Sequence, residues 1–341
     1  MSLPEFPFQF LPSLTKEKVV QVMGGQDRLS FSTISEDANK LSKPRKQQAK
    51  IVTIGFNGEM KLKSDIKQFP TLTIKLAGDV NFTPRQVYST CQYIDGVKQD
   101  WKIRKMLKRS RYSLRDWIDH YIELVKCDTI MLELEGFGLI TWNPATLLKV
   151  FQGLNVEQIE LFGQVGEHGI RVVQQCPTVK RAYFGDYFPT GNERVELLSR
   201  EFDEFGTTSS PDSKLALPEI LLLRSRVVVL LSTWLDQHSL NSLLKEWENG
   251  WNPNFEVMLF QCYSTIGNIP DILDGIDYHE VVDDDKDLHR FIVGPALLWI
   301  DSDEWSEKAY QIQRKETGVK ANLNFATFST KHLTVKLIVQ H

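Results

Sequence analysis

Three short apolar runs in the middle of the chain each end on a glycine, and that repetition limits the available folds more than any other feature. Thr129-Ile130-Met131-Leu132-Glu133-Leu134-Glu135 runs into Gly136, Val156-Glu157-Gln158-Ile159-Glu160-Leu161-Phe162 into Gly163, and Val179-Lys180-Arg181-Ala182-Tyr183-Phe184 into Gly185. Runs of this length, rich in β-branched and aromatic residues and bounded by turn residues, predict strands. Between the first two, Asn143-Pro144-Ala145-Thr146-Leu147-Leu148-Lys149-Val150-Phe151 predicts a helix. Ile170, Val172 and Val173 supply apolar positions before Pro177. Strands alternating with helices predict an α/β architecture.

The closing glycines are 27 and 22 residues apart. That spacing falls within the period of about 20–29 residues of leucine-rich-repeat units, although the LxxLxLxxN consensus is absent. An irregular, leucine-rich-repeat-like strand–helix array is the first expectation, and a doubly wound sheet is the alternative. Further on, Leu240, Leu243, Leu244 and Trp247 fall at i, i+3, i+4 and i+7 and place four large apolar side chains on one helical face. Ser239 is the candidate N-cap, Asn249-Gly250 ends the helix and Asn252-Pro253 turns the chain. Phe255, Val257 and Leu259 then alternate as a half-buried strand. The tail predicts antiparallel strands at 310–314, 320–325 and 333–339, with a turn at Thr317-Gly318. Upstream, 51–62 alternates around the turn pair Asn57-Gly58, and Leu72-Thr73-Ile74-Lys75-Leu76 is another strand candidate.

The first fifty residues read differently, as a small helical unit. Leu11-Pro12 precedes Ser13 and Thr15, either of which could cap a helix carrying Leu14, Val19, Val20 and Met23 up to Gly24-Gly25. Asp27 opens a second helical stretch with Leu29, Phe31 and Ile34. A polar stretch then leads to Leu41, and Lys43-Pro44 breaks the run. So short a unit has little core of its own. Phe6, Phe8, Leu11, Val19, Val20 and Met23 are candidates for burial against something else, either another polypeptide or the rest of this chain.

Composition removes several function classes. The 341 residues carry 40 basic and 44 acidic side chains, a net −4, which disfavours a surface that coats nucleic acid or membrane. Met1 to Phe8 lacks the basic and unbroken apolar regions of a signal peptide. The stretch 217–231 is interrupted by Pro218, Glu219, Arg224 and Arg226 and is too short to span a bilayer. Cys91, Cys127, Cys176 and Cys262 stand singly, so reduced thiols in a cytoplasmic or nuclear protein are expected. The sequon Asn81-Phe82-Thr83 carries no weight without a secretory signal.

Catalytic chemistry has little to rest on. No HExxH, GxSxG, Walker A or EF-hand pattern occurs, and Gly136-Phe137-Gly138 lacks the third glycine of a dinucleotide loop. His120 and His279 are single histidines without a visible partner, and Asp283-Asp284-Asp285-Lys286-Asp287 lacks the alternating ligand spacing of a calcium loop. No metal, cofactor or catalytic residue is assigned. Lys102, Arg104, Lys105, Lys108, Arg109, Arg111 and Arg115 form a basic segment that could meet nucleic acid. The interleaved Trp101, Ile103, Met106, Leu107, Tyr112, Leu114 and Trp117 favour a solvated basic face on a structured segment, or a site for an acidic protein.

Four stretches carry a family resemblance. They are Phe6-Pro7-Phe8 through Leu11-Pro12 with Val19-Val20-Gln21-Val22-Met23 and the Leu29-to-Leu41 stretch; Tyr112-Ser113-Leu114-Arg115-Asp116-Trp117-Ile118-Asp119-His120; Ser239 through Trp247 with Gly250 and Asn252-Pro253; and Ile312-Gln313-Arg314-Lys315 leading into a last hairpin. In this the chain resembles the large nematode family of F-box proteins with a type 2 F-box-associated domain. The resemblance implies an F-box in 1–50 and an F-box-associated, substrate-recruiting domain in 51–341. It further implies a non-enzymatic subunit that docks on the Skp-type adaptor of a cullin–RING ubiquitin ligase and captures a protein substrate. Phe8, Leu11, Pro12, Val19, Val20, Met23 and Leu29 would meet the adaptor, and no residue is assigned to the substrate. The alternatives are an interaction scaffold without ligase coupling, a nucleic-acid binder using 102–115, and a hydrolase without a recognised motif.

Overall fold

The structure is a computed structural model that describes residues 11–43, 49–56, 59–66, 69–76, 84–95, 98–107, 112–135, 144–163, 166–185, 188–207, 214–262, 269–282, 308–329 and 332–340. Phe8, Asn57-Gly58, Asn81 to Thr83, Gly136 to Gly138 and the acidic 283–287 lie outside the described residues. The chain divides into two compact units, Met1–Glu157 and Gln158–His341.

In the first unit, three short helices come first: α1 (Ser13–Val22), α2 (Gly25–Ser32) and α3 (Glu36–Ser42). Neither Ser13 nor Thr15 caps α1. The cap position is Pro12, whose carbonyl takes the Thr15 and Lys16 amides. Asp27 lies inside α2 rather than opening it. Ser35 does cap α3, its hydroxyl accepting the Ala38 amide at 3.1 Å, and Glu36 and Asp37 suit the positive end of the helix dipole. Strands β1 (Val52–Phe56), β2 (Glu59–Ser64), β3 (Thr71–Leu76), β4 (Pro84–Asp95) and β5 (Lys98–Met106) follow as an antiparallel series.

Helix α4 (Leu114–Val125) opens on a capping box between Ser113 and Asp116. It buries Leu114, Trp117, Ile118, Tyr121, Leu124 and Val125 as one stripe and ends where Lys126 turns left-handed at φ 48°. Strand β6 (Ile130–Glu135) then pairs parallel with β1, Val52 opposite Ile130, and α5 (Pro144–Phe151) follows. Arg115 donates to Asp119 and to the carbonyls of Val150 and Gln152, so this member of the basic segment ties α4 to the end of α5.

The second unit continues the alternation through β7 (Val156–Phe162), α6 (Gly166–Gln175), β8 (Arg181–Phe184), α7 (Gly191–Leu198), β9 (Glu204–Thr207), α8 (Leu217–Ile220), β10 (Val227–Thr233), α9 (Gln237–Glu248), β11 (Val257–Cys262) and α10 (Ile269–Ile272). Strands β12 (Tyr278–Val282), β13 (Lys308–Gln313), β14 (Lys320–Ser329) and β15 (His332–Gln340) complete it. The described strands β7 to β11 lie side by side in chain order and parallel. A doubly wound sheet reverses its order midway, and these strands do not. The antiparallel tail joins through β15 on β11, followed outward by β14, β13 and β12.

Parallel strands with both faces covered are apolar on both. Accordingly Phe255 and Leu259 are buried, but so are Met258 and Phe260 between and beyond them, in place of the half-buried alternation expected here. Tyr183, Val229, Leu231, Leu259 and Ala326 form a cluster on one face. On the other, Phe184, Phe188 and Phe205 stack at 5.2–6.1 Å between centroids. The closing glycines have separate reasons. Gly163 takes a left-handed φ of 62°, whereas Gly185 donates to Leu161 O at 2.6 Å, where a Cβ would stand 2.9 Å from that same oxygen.

Candidate functional site

The three N-terminal helices pack partly on their own unit. Gly25 lies against Phe69 and Pro70, and the Arg28 guanidinium sits 5.2 Å over the Phe69 ring. Lys43 pairs with Glu123 of α4 at 2.7 Å, and the Ser32 hydroxyl meets His120 Nε2 at 3.0 Å. His120, met in sequence as a lone histidine, is thereby a buried joint between α2 and α4. Ser32→Ala removes this partner from a buried ring nitrogen and is expected to cost about 1–2 kcal/mol in a urea titration.

The predicted docking residues are divided by this packing. Val20 and Leu29 are enclosed, at 1% and 0% exposure. Leu11, Val19 and Met23 are half-buried, and Pro12 is exposed. The apolar side chains that stand open are Leu14 (62%), Val22 (84%) and Ile34 (74%), none of which the predicted set contained. Single exposed apolar residues are ordinary. Leu14 and Val22 on α1 and Ile34 in the turn between α2 and α3, together with half-buried Leu11, Val19, Met23 and Phe31, give the three-helix segment open apolar side chains of the kind a helix-mediated interface covers.

A second constellation joins two stretches that the resemblance rested on. Arg314, only 4% exposed, donates to Asn252 O at 2.8 Å, Trp251 O at 3.2 Å and Pro253 O at 3.3 Å, and lies 5.0 Å over the Trp247 ring. Asn252 holds a left-handed φ of 45°, and its Nδ2 donates to Ser225 O. The Lys315 ammonium lies 3.2 Å from the buried Glu248 carboxylate. The helix before this knot is capped by Asp236, whose Oδ1 accepts the Ser239 amide at 2.8 Å, so Ser239 is not the cap. Charge and aromaticity here serve architecture: the guanidinium supplies donors to three successive carbonyls of the tight turn, of which Asn252 O also accepts the Phe255 amide at 3.1 Å.

Among the described cysteines, burial holds the thiols in their protonated form. Burial pushes the Cys262 thiol up to about 12 and also raises Cys127 and Cys176. Burial and the adjacent Glu204 carboxylate push the Tyr183 phenol up as well. Iodoacetamide at pH 8 is expected to leave Cys262 unmodified in the native protein and to label it after denaturation, read by peptide mass. The same shift sets a sign. The folded thiol keeps its proton while the unfolded thiol loses its own near the ordinary value of 9.0, so this contribution to stability is intact below that pH and declines as pH rises towards 12.

At the edge of the second unit where β8 to β11 begin, a groove of about 580 Å³ runs across the loops that feed these strands. Val179 and Phe202 floor it. Its charges alternate in sign from strand to strand: Lys180 before β8, Glu201 and Asp203 before β9, Arg224 and Arg226 before β10, Glu256 before β11. Sequence reading did not find it, because each loop contributes only one or two charges and the sign order exists only across neighbouring strands.

Among the described residues no group of His, Cys, Asp or Glu is placed to hold a metal ion, and no helix is long and apolar enough to cross a membrane. No curated protein and no solved structure matches the chain. A family model described as F-box associated matches residues 195–260, the stretch that holds most of the groove's charges, helix α9 and the Asn252 turn.

Proposed function

We propose that the chain is a non-catalytic substrate-recognition subunit of a cullin–RING ubiquitin ligase, with an F-box in residues 1–50 and a substrate-recruiting part in 51–341. The observation that carries this reading is the set of open apolar side chains in the three-helix segment, Leu14 and Val22 on α1 and Ile34 between α2 and α3, ahead of a stretch similar to F-box-associated sequence. The Skp-type adaptor would cover that surface, joining the chain to the ligase in the cytoplasm or nucleus. Val20 and Leu29 then serve to hold the helices in shape rather than to touch the adaptor. Catalysis by such a subunit is positional: it raises the effective concentration of a substrate lysine near the activated ubiquitin carried by another protein.

Engagement of Arg115 by Asp119 and two carbonyls weakens the nucleic-acid alternative, since it occupies one of the seven cations that reading needs. Co-expression with a Skp-type adaptor tests the proposal. A complex that co-elutes at one-to-one stoichiometry supports it, and separate elution of two folded proteins leaves a scaffold without ligase coupling.

A further inference from the structure

The charges of the strand-edge groove are only partly used within the molecule. Arg226 and Glu256 form a two-pronged pair at 3.0 and 2.9 Å, which closes one position. Among the described residues Arg224 reaches only the carbonyls of Leu221 and Leu223, at 3.3 and 3.4 Å. Among the described residues no ion pair engages Arg224, Glu201 or Asp203, and all three are exposed beside the apolar floor of Val179 and Phe202. An anionic rim on one strand and a cationic rim on the next therefore face the same groove; Asp203 also acts at longer range on Arg226, and its exposed carboxylate, with that of Glu201 and the Arg224 guanidinium, faces an occupant.

The dimensions select the class of occupant. Neighbouring strands lie about 4.8 Å apart, so the four strand entries span about 15 Å, the length of four or five residues of extended chain at about 3.3 Å each. An open groove of this kind does not bury most of a small ligand, which argues against a metabolite. The acidic rim repels a phosphate backbone, which argues against nucleic acid. We propose that this groove binds an extended protein segment of mixed charge, with an acidic side chain set against Arg224 and a basic one within two residues of it set against Asp203 and Glu201. The inference deepens the substrate-capture half of the function proposed above and rests on it. It assigns the substrate a solvent-exposed mixed-charge segment, recognised by side chains of both signs over an apolar floor.

The test uses the full chain and a fluorescein-labelled decapeptide pool whose four central positions alternate Asp or Glu with Lys or Arg, read by anisotropy. Two control pools carry only acidic or only basic residues at those positions. The mixed pool should bind at least about tenfold more tightly than either control, in the range of about 100 µM. Arg224→Glu and Asp203→Lys should each weaken it at least about fivefold, and the double variant, which restores one charge of each sign, should recover most of that loss. Equal binding of the three pools, or mixed-pool binding indifferent to Arg224→Glu, would overturn the proposal. Both residues are exposed, so the variants should melt with the wild type. Adaptor co-elution measured on the same samples separates the two readings: its absence in the wild type removes the ligase function and leaves the groove result intact, whereas loss of peptide selectivity alone removes only the groove.

Discussion

Arg314→Ala is expected to destabilise the second unit by about 3–5 kcal/mol, the largest effect of any single substitution considered for this chain. The side chain is nearly fully enclosed, it donates to three successive carbonyls, and its Cζ lies 5.0 Å from the Trp247 ring centroid. Truncation leaves the carbonyls of Trp251, Asn252 and Pro253 without that donor and opens a void beside a fully buried indole. Arg314→Lys keeps the charge but loses the forked donors and the stacking plane, so it should recover less than half of the loss. The urea midpoint followed by tryptophan fluorescence is the measurement. A midpoint for Arg314→Ala equal to wild type would show that the turn carbonyls are satisfied in another way.

This knot also shows what could be read from the sequence. The helix with Leu240, Leu243, Leu244 and Trp247, its end at Asn249-Gly250 and the Asn252-Pro253 turn were legible because local chemistry dictates each of them. That Arg314 would close the same turn was not, because a contact across more than sixty residues leaves no periodic trace. The runs ending at Gly163 and Gly185 were legible as strands by their β-branched and aromatic content. Strand β9 was not: Glu204-Phe205-Gly206-Thr207 is four residues long and takes its extended form from pairing between β8 and β10.

The proposed docking surface was legible as apolar but not by face. Leu14, Val19, Val20 and Val22 spread over about two thirds of the circumference of α1 at 3.6 residues per turn, so the period could not choose between Val20, which is buried, and Val22, which is open. Only packing against the rest of the first unit decides. For that reason Leu14→Glu with Val22→Glu tests docking more cleanly than any change at Val20. The two positions are about 12 Å apart along one helix, and neither is part of the core.

Affinity of the purified adaptor for this double variant, set beside wild type, is the most direct measurement of the central claim. Each glutamate would place an unpaired charge in an apolar interface, at a cost of about 2 kcal/mol or more. Binding should therefore fall on the order of several hundredfold, with circular dichroism and melting temperature unchanged. Wild-type affinity in the folded double variant would contradict the account.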